Sequence, residues 1–143
     1  MLLGDREEAA ITGEVVRYMH TPALDLTGKT DFGQLAAVLS RCSLLISNDS
    51  GVMHVGAAVG THVVAIFGPS NPKAWGPWDG IEGKRTRVVR VELPCSPCLY
   101  VGHSVGRRYG CPGMTCLEAI TPPMVLAAAE QLLSSALSHT TGR

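Results

Sequence analysis

The chain has 143 residues, 12 basic and 12 acidic, so its formal net charge of zero gives no reason to expect nucleic acid or an anionic membrane as a partner. Its 45% apolar and 17% charged residues are typical of a packed globular domain and exclude a disordered chain. Aromatic residues make up only 5%, which disfavours a surface on which nucleic-acid bases stack.

The sequence shows no targeting or membrane signal. No apolar run approaches the ~18 residues of a membrane span, and residues 1–4 are too short an apolar stretch for a signal peptide. The five cysteines are an odd number, which favours thiols or metal ligands over a disulfide scaffold. These features predict a cytoplasmic protein that folds as a single domain over 1–143.

The chain opens with the end of a strand and a helix. Residues 1–4 resemble the last part of a buried strand. Residues 5–19 carry acidic side chains in the first turn, which favours a helix start. The helix is supported by apolar residues at every fourth position: Ile11, Val15 and Met19. A short extended piece over 23–26 then leads to a turn over 27–30.

The second helix has a predicted capping box. Asp31 caps its start while Gln34, three residues on, reaches back, and the helix is expected to run to about Arg41. Its apolar stripe consists of Leu35, Val38, Leu39 and Cys42. The short apolar run 43–47 follows, as expected for a strand that helices cover on both faces.

Strand and helix continue to alternate after residue 47. We predict a helix over 51–59 that ends at Gly60, and a buried strand over 61–67. A loop over 73–86 separates it from a strand over 86–93.

An irregular, cysteine-bearing segment over 94–120 precedes the last helix, which begins at Thr121 and Pro122. One face of that helix is formed by Val125, Ala129, Leu132, Leu133 and Leu137. The alternation predicts an α/β fold, a Rossmann-like doubly wound parallel sheet, in which ligands bind at the carboxyl ends of the strands.

Two loops at predicted strand ends carry polar residues. Ser50 can cap the helix after the first strand, Gly51 allows a ligand to approach the backbone, and the helix start favours an anion such as phosphate. His54 lies one turn further on, and Asp49 can accept hydrogen bonds from sugar hydroxyls. The loop 68–72, which contains Ser70, is expected beside this segment if the two strands are neighbours. The alternative is that Asp49 and Ser50 only cap the helix and that His54 packs in the core.

Three segments carry a family resemblance: Leu26–Thr30, Leu44–His54 and Val63–Pro72. They resemble the donor-binding half of the heptosyltransferases, glycosyltransferase family 9, whose members transfer heptose from ADP-heptose to lipopolysaccharide. The resemblance implies the fold of the C-terminal half of a GT-B glycosyltransferase, built from two Rossmann-like domains. It also implies that the acceptor-binding N-terminal domain, with the carboxylate that acts as general base, is absent, so no catalytic residue is expected here.

The resemblance also implies donor-binding residues. Asp49 would contact the heptose, the amides of Ser50 and Gly51 the diphosphate, and His54 the diphosphate or the sugar. Two further donor contacts would come from the amino-terminal part of the chain: Thr30 beside the adenine, and Glu8, or in its place Glu7, at the ribose.

Four of the cysteines are spaced like paired metal ligands: Cys95, Cys98, Cys111 and Cys116. Their spacing leaves open a structural zinc or iron site, unbound thiols or disulfides, and His103 is an alternative ligand. Members of the resembling family carry a similar Cys-Ser-Pro-Cys segment, but transfer in that family is not known to require a metal there.

Basic residues lie in the loop before and within the last predicted strand: Lys73, Lys84, Arg85 and Arg87. They are expected near the edge of the sheet where ligands bind, where they either steer an anionic donor or the lipopolysaccharide core or form a solvated loop. The function implied by the resemblance is donor binding for heptose transfer to the lipopolysaccharide core, inactive without the acceptor domain, in the cytoplasm or at the inner membrane. The alternatives are a noncatalytic nucleotide-sugar sensor or cysteine-metal module, and a glycosyltransferase with another acceptor.

Overall fold

The computed structural model describes residues 1–79, 83–99, 111 and 113–140, with side chains described as far as Ala136. The chain divides into two compact units, Met1–Val38 and Leu39–Arg143. The elements of the described residues are α1 (Ala9–Tyr18), α2 (Phe32–Leu39), β1 (Leu44–Asn48), α3 (Gly51–Ala58), β2 (His62–Ile66), α4 (Pro72–Trp75), β3 (Thr86–Val89), α5 (Thr115–Glu118) and α6 (Pro122–Thr140). A single nucleotide-sugar-binding domain over 1–143 stays a prediction.

The first unit joins two extended segments in parallel. Leu2 pairs with Asp25 as an isolated parallel bridge. The Leu2 amide donates to the Leu24 carbonyl at 2.8 Å, and the Leu26 amide donates to the Leu2 carbonyl at 3.0 Å. The strand character predicted for the first residues and the extended piece over 23–26 are therefore confirmed.

Helix α1 begins later than predicted, at Ala9 rather than Asp5. The reason is a reciprocal pair of hydrogen bonds before it: the Asp5 amide donates to Glu8 Oε2 at 2.9 Å, and the Glu8 amide donates to Asp5 Oδ1 at 3.1 Å. The apolar residues that predicted the helix remain exposed: Ile11, Val15 and Met19. Their spacing predicts the helix correctly, but the residue that α1 buries is Thr12.

Helix α2 has the predicted capping box. The Gln34 amide donates to Asp31 Oδ1 at 2.8 Å, and the Asp31 amide donates to Gln34 Oε1 at 3.0 Å. The helix ends at Leu39, two residues before the expected end, and Leu39 is fully buried.

The second unit is built on a parallel sheet of three strands in the order β1-β2-β3. Leu44 of β1 pairs with His62 of β2, and Val63 of β2 pairs with Thr86 of β3. Because all three strands run in one direction, their carboxyl ends lie along one edge, which is called the ligand edge below, and their amino ends along the other.

Helices cover both faces of this sheet, which confirms the α/β, doubly wound fold. One face packs against α3 through a core of Leu45, Met53, Ala57, Val63, Ala65 and Phe67. The other packs against α6 through Leu44, Val64, Val89, Ile120, Val125, Ala128, Ala129 and Leu132. Gly56 lets α3 approach the sheet, because a Cβ there would lie 2.6 Å from a methyl carbon of Leu45.

The structure corrects three details of the sequence prediction. Strand β3 ends at Val89 rather than Leu93, and α4 forms within the predicted loop because Asn71 caps it and Pro72 opens it. Leu133, expected on the buried face of α6, is 36% exposed. None of the helices in the described part of the chain is long and apolar enough to span a membrane.

Candidate functional site

The two strand-end loops predicted to frame a ligand meet at the ligand edge. Ser70, 3% exposed, donates from its hydroxyl to Asp49 Oδ2 at 2.5 Å. The Asp49 amide donates to the carbonyl of Ile66, the last residue of β2, at 3.1 Å. Asp49 itself is exposed, so its carboxylate is held by a buried hydroxyl and remains open to solvent. The predicted adjacency of the loops is confirmed.

The start of α3 lies directly after Asp49. Ser50 occupies the N-cap position with extended backbone, but its side chain makes no capping hydrogen bond in the described residues. Its hydroxyl lies 3.2 Å from the hydroxyl of Ser47 instead. The prediction that the Ser50 side chain caps α3 is therefore wrong, and the first amides of the helix are left without that partner.

The helix start is open to a ligand. A Cβ built on Gly51 would meet no atom within 4 Å, so the backbone at this position faces free space. Free amides and the helix dipole together attract an anion. His54, one turn along α3, is exposed, which rules out the alternative in which it packs in the core.

The loop that carries Ser70 accepts hydrogen bonds from the segment that follows β3. The Ser96 hydroxyl donates to the Gly68 carbonyl at 2.9 Å. The amides of Cys98 and Leu99 both donate to the Pro69 carbonyl, at 2.8 and 2.9 Å. Both carbonyls before Ser70 are thus fixed by one short segment.

Sequence reasoning missed the role of Arg90. This residue follows β3, and its side chain is 14% exposed. Its Nη2 donates to the carbonyl and to the hydroxyl of Ser96, each at 3.2 Å. Its Nε lies 3.4 Å from Glu92 Oε1, an ion pair without hydrogen-bond geometry. The available signal was a cation directly after the two valines that end β3, at the end of the strand where ligands bind.

The remaining predicted donor residues lie in the first unit. Glu8 accepts the Asp5 amide described above, so one of its carboxylate oxygens already has a local partner. Thr30 is half-buried and lies two residues after Gly28, whose φ of +66° is a left-handed conformation that glycine adopts readily. The Gly28 amide donates to the Gly4 carbonyl at 2.9 Å, so the segment leading to Glu8 and the turn leading to Thr30 meet within this unit.

The turn before Thr30 is ordered by Asp25. The Thr27 amide donates to Asp25 Oδ1 at 2.9 Å, and Lys29 Nζ donates to the Asp25 carbonyl at 2.8 Å. The hydroxyl and the amide of Thr27, followed by the charge of Lys29, lower the pKa of the Asp25 carboxyl. The carboxylate and the carbonyl of Asp25 thus both hold the turn that precedes Thr30.

The four predicted metal ligands all carry free thiols: exposed Cys95 and Cys111, half-buried Cys98 and buried Cys116. Burial raises the pKa of Cys98, and the thiols of Cys116, Cys95 and Cys111 add to the effect. Within the described residues, however, no group of three or more histidine, cysteine, aspartate or glutamate side chains is arranged to hold a metal ion. Metal binding stays a prediction, and His103 lies outside the described residues.

The basic residues do not share one place. Lys73 lies in α4, shortly after the Ser70 loop. Lys84 and Arg85 precede β3 and Arg87 is its second residue, so they lie at the amino ends of the strands. A Cβ built on Gly60, just before β2, would lie 3.0 Å from Arg85 Nη1, which confirms this placement. The expectation that all four lie near the ligand edge is therefore wrong for three of them.

Comparisons with known proteins agree with the geometry. The sequence profile of glycosyltransferase family 9 (heptosyltransferase) matches residues 1–107. Lipooligosaccharide heptosyltransferase 2 of Campylobacter jejuni is 28% identical over 124 residues, which are 85% of this chain and 35% of that protein. Lipopolysaccharide heptosyltransferase 2 of Escherichia coli K12 is 30% identical over 95 residues, 64% of this chain and 26% of that protein.

Two solved structures share the fold. A family 9 glycosyl transferase from Veillonella parvula superposes with a TM-score of 0.72 at 32% identity, over 93% of this chain and 36% of that one. The E. coli ADP-heptose lipopolysaccharide heptosyltransferase II gives a TM-score of 0.71 at 26% identity, over 94% and 36%. The chain therefore spans about a third of the length of these proteins.

Proposed function

Because this chain belongs to glycosyltransferase family 9, we propose that it is the donor-binding part of a heptosyltransferase, which transfers heptose from ADP-heptose to the lipopolysaccharide core. The proposal draws its substrates from the relatives, which are described as heptosyltransferases and in one case by the donor ADP-heptose. The observation that carries it is the hydrogen bond from Ser70 to Asp49 beside the open start of α3.

The site has separate features for the two parts of the donor. The diphosphate lies at the amides of Ser50 and Gly51, where the helix dipole favours negative charge. The exposed imidazole of His54 donates to a phosphate oxygen or a sugar hydroxyl. Asp49 accepts hydrogen bonds from the heptose hydroxyls, since Ser70 occupies Oδ2 and leaves Oδ1 for the sugar.

Heptose transfer breaks the bond between the sugar and the diphosphate while an acceptor hydroxyl attacks the sugar carbon. The negative charge that develops on the diphosphate is stabilised by the amides at the start of α3. A base must remove the proton of the acceptor hydroxyl. We assign that base, and the binding of the lipopolysaccharide acceptor, to the part of a heptosyltransferase beyond this chain, so the chain binds the donor and needs a partner domain for transfer.

The nucleoside contacts that the family resemblance implies, at Thr30 and Glu8, stay predictions. Thr30 follows the turn that Asp25 orders, and Glu8 keeps one carboxylate oxygen for the ribose hydroxyls. The reaction takes place in the cytoplasm or at the cytoplasmic face of the inner membrane, where the nucleotide sugar is available.

The proposal is tested by thermal unfolding of the chain with ADP, UDP and GDP. A ligand that binds only the native state at 100 times its Kd adds about 2.7 kcal/mol, which raises Tm by several degrees. We expect a rise with ADP that exceeds those with UDP and GDP, and we expect Asp49→Ala to lose the additional rise that ADP-heptose gives over ADP.

Two variants serve as comparisons. His54→Ala is expected to reduce the rise with ADP itself, because the imidazole is assigned to the diphosphate side. Glu130→Ala, at an exposed position of α6, is expected to match the unmodified chain. A folded chain whose Tm does not respond to any nucleotide would instead support a structural or cysteine-metal module.

A further inference from the structure

The segment over 95–99 is the feature of this fold that the donor proposal does not use. It follows β3 at the ligand edge and contains the cis peptide bond between Ser96 and Pro97. Its hydrogen bonds run to the backbone of the loop 68–70, whose last residue holds Asp49. The segment therefore contacts the candidate site through the loop that carries Ser70.

The contacts form a continuous series. Arg90 donates to both oxygens of Ser96, which is 8% exposed, and the Ser96 hydroxyl donates to the Gly68 carbonyl. Two residues further on, the buried hydroxyl of Ser70 donates to Asp49. The bond from Ser96 to Gly68 is buried, and the bonds made by Arg90 and Ser70 are partly buried, so a lost partner within the series leaves a polar group with reduced access to water.

The loop has little freedom to adjust by itself. Gly68 is buried, and a Cβ there would lie 2.5 Å from Cγ of Leu117 in α5. The Gly68 carbonyl accepts a hydrogen bond from the Ser96 hydroxyl, and the Pro69 carbonyl accepts hydrogen bonds from two amides of the segment. The position of the Ser70 hydroxyl is thus set by the segment on one side and by α5 on the other.

We propose that Arg90 and Ser96 are positioning residues for sugar recognition: they hold the loop 68–70 so that Ser70 orients the Asp49 carboxylate toward the sugar of a nucleotide-sugar donor. This inference rests on the proposed donor function. It assigns to the cysteine-bearing segment a role that does not require a metal. Recognition of the sugar then depends on this series of hydrogen bonds, whereas binding of the diphosphate depends on the start of α3.

The test compares the binding of ADP and ADP-heptose by calorimetry, using the 143-residue chain. Ser96→Ala removes the bond to the Gly68 carbonyl, and Arg90→Lys keeps the charge but loses the guanidinium Nη2 that donates to both Ser96 oxygens. For each variant we expect affinity for ADP-heptose to fall about fivefold, the size of one lost hydrogen bond, with ADP affinity within twofold of the unmodified chain.

A double variant tests the series itself. In a Ser70→Ala background, Ser96→Ala is expected to cause no further loss of ADP-heptose affinity, because its effect passes through Ser70. The matched control is Ser134→Ala, which removes an exposed serine hydroxyl whose bond is local to α6, and it is expected to change neither affinity.

A ligand-free measurement accompanies these. In Ser96→Ala, the amides of Cys98 and Leu99 are expected to exchange with deuterium faster, since the contact between the segment and the loop is weakened. Unchanged exchange, an equal loss for ADP and ADP-heptose, or additive effects of Ser70→Ala and Ser96→Ala would overturn the inference.

The binding measurements distinguish a failure of the donor function from a failure of the positioning role. If the unmodified chain binds neither ADP nor ADP-heptose, the donor function fails and the inference fails with it. If the unmodified chain binds both and the variants show no sugar-selective loss, the donor function stands and only the positioning role of Arg90 and Ser96 is overturned.

Discussion

The two edges of the sheet in the second unit differ in how their polar groups are used. At the ligand edge, buried hydroxyls of Ser70 and Ser96 join separate loops and leave the carboxylate of Asp49 exposed. At the amino edge, the buried hydroxyl of Thr61 donates to the Leu39 carbonyl at 2.6 Å, which joins the residue before β2 to the first residue of this unit. The bonds at the ligand edge orient groups that face solvent, whereas the bond at the amino edge only joins parts of the fold. Substitutions at the ligand edge should therefore reduce ligand binding, and substitutions at the amino edge should reduce stability alone.

Gly68→Ala is expected to have the largest effect. The added Cβ meets Leu117 at 2.5 Å, and overpacking of this kind costs about 1–3 kcal/mol and shifts the loop that carries Ser70. Both the free energy of unfolding, measured in urea, and the affinity for ADP-heptose should fall.

The comparison for this change is Gly83→Ala, which lies before β3. Its φ of +62° makes alanine cost about 1–2 kcal/mol, but no ligand contact is assigned there. If Gly83→Ala weakened nucleotide binding as strongly as Gly68→Ala, the distinction between the edges would be lost.

Thr61→Val is expected to reduce stability without reducing binding. The variant keeps the shape of the side chain but removes one of the two donors to the Leu39 carbonyl, which keeps its bond from the Cys42 amide, so the expected cost is about 0.5–1.5 kcal/mol. Urea unfolding measures the loss, and ADP affinity at a temperature where the protein is fully folded should be unchanged. A decrease in affinity under those conditions would show that the amino edge contributes to the site.

Substitution of basic residues at the two edges of the sheet is expected to have a smaller effect on ADP affinity. Lys84→Gln combined with Arg85→Gln should change ADP affinity by less than about twofold, because exposed charges distant from a site contribute little at physiological ionic strength. Lys73→Gln, shortly after the Ser70 loop, should weaken binding more at low salt than at high salt. Equal salt dependence in the two variants would contradict the placement of the cations at different edges.

The smallest expected effect is a difference in the labelling rates of two thiols, Cys95 and Cys98, in the segment after β3. Because the pKa of Cys98 is raised, a smaller fraction of it is thiolate at a given pH, and iodoacetamide should label it more slowly than exposed Cys95 at pH 8. The rate at Cys98 should rise as the pH increases above its ordinary pKa.

A bound metal would give another pattern in the same experiment. Zinc at the four cysteines would protect Cys95 as well, and a chelator would restore its labelling. Rapid labelling of Cys98 at pH 8 without a chelator would contradict both the raised pKa and a metal site.

Several features of the fold could be predicted from short stretches of sequence. The apolar runs of β1 and β2, the capping box of Asp31 and Gln34, and the glycine that ends α3 are all local, and the structure confirms them. They could be predicted because caps and strand periodicity depend on residues within about four positions of one another.

Burial was harder to predict than helix formation. Ile11 in α1 and Leu133 in α6 lie on apolar stripes, yet they are 63% and 36% exposed. A helical period shows which side chains share a face, but the neighbour that covers the face is contributed by another part of the chain.

Sequence by itself determined the doubly wound α/β fold, the family, and the residues Asp49, Ser50, Gly51 and His54 as candidates for the site. Only the tertiary structure decided how the site is held. The bonds that join Ser70 to Asp49 and Ser96 to Gly68 connect residues 21 and 28 positions apart. Such pairs leave no local pattern, because parallel strand pairing and the path of the loops bring them together only when the chain has folded.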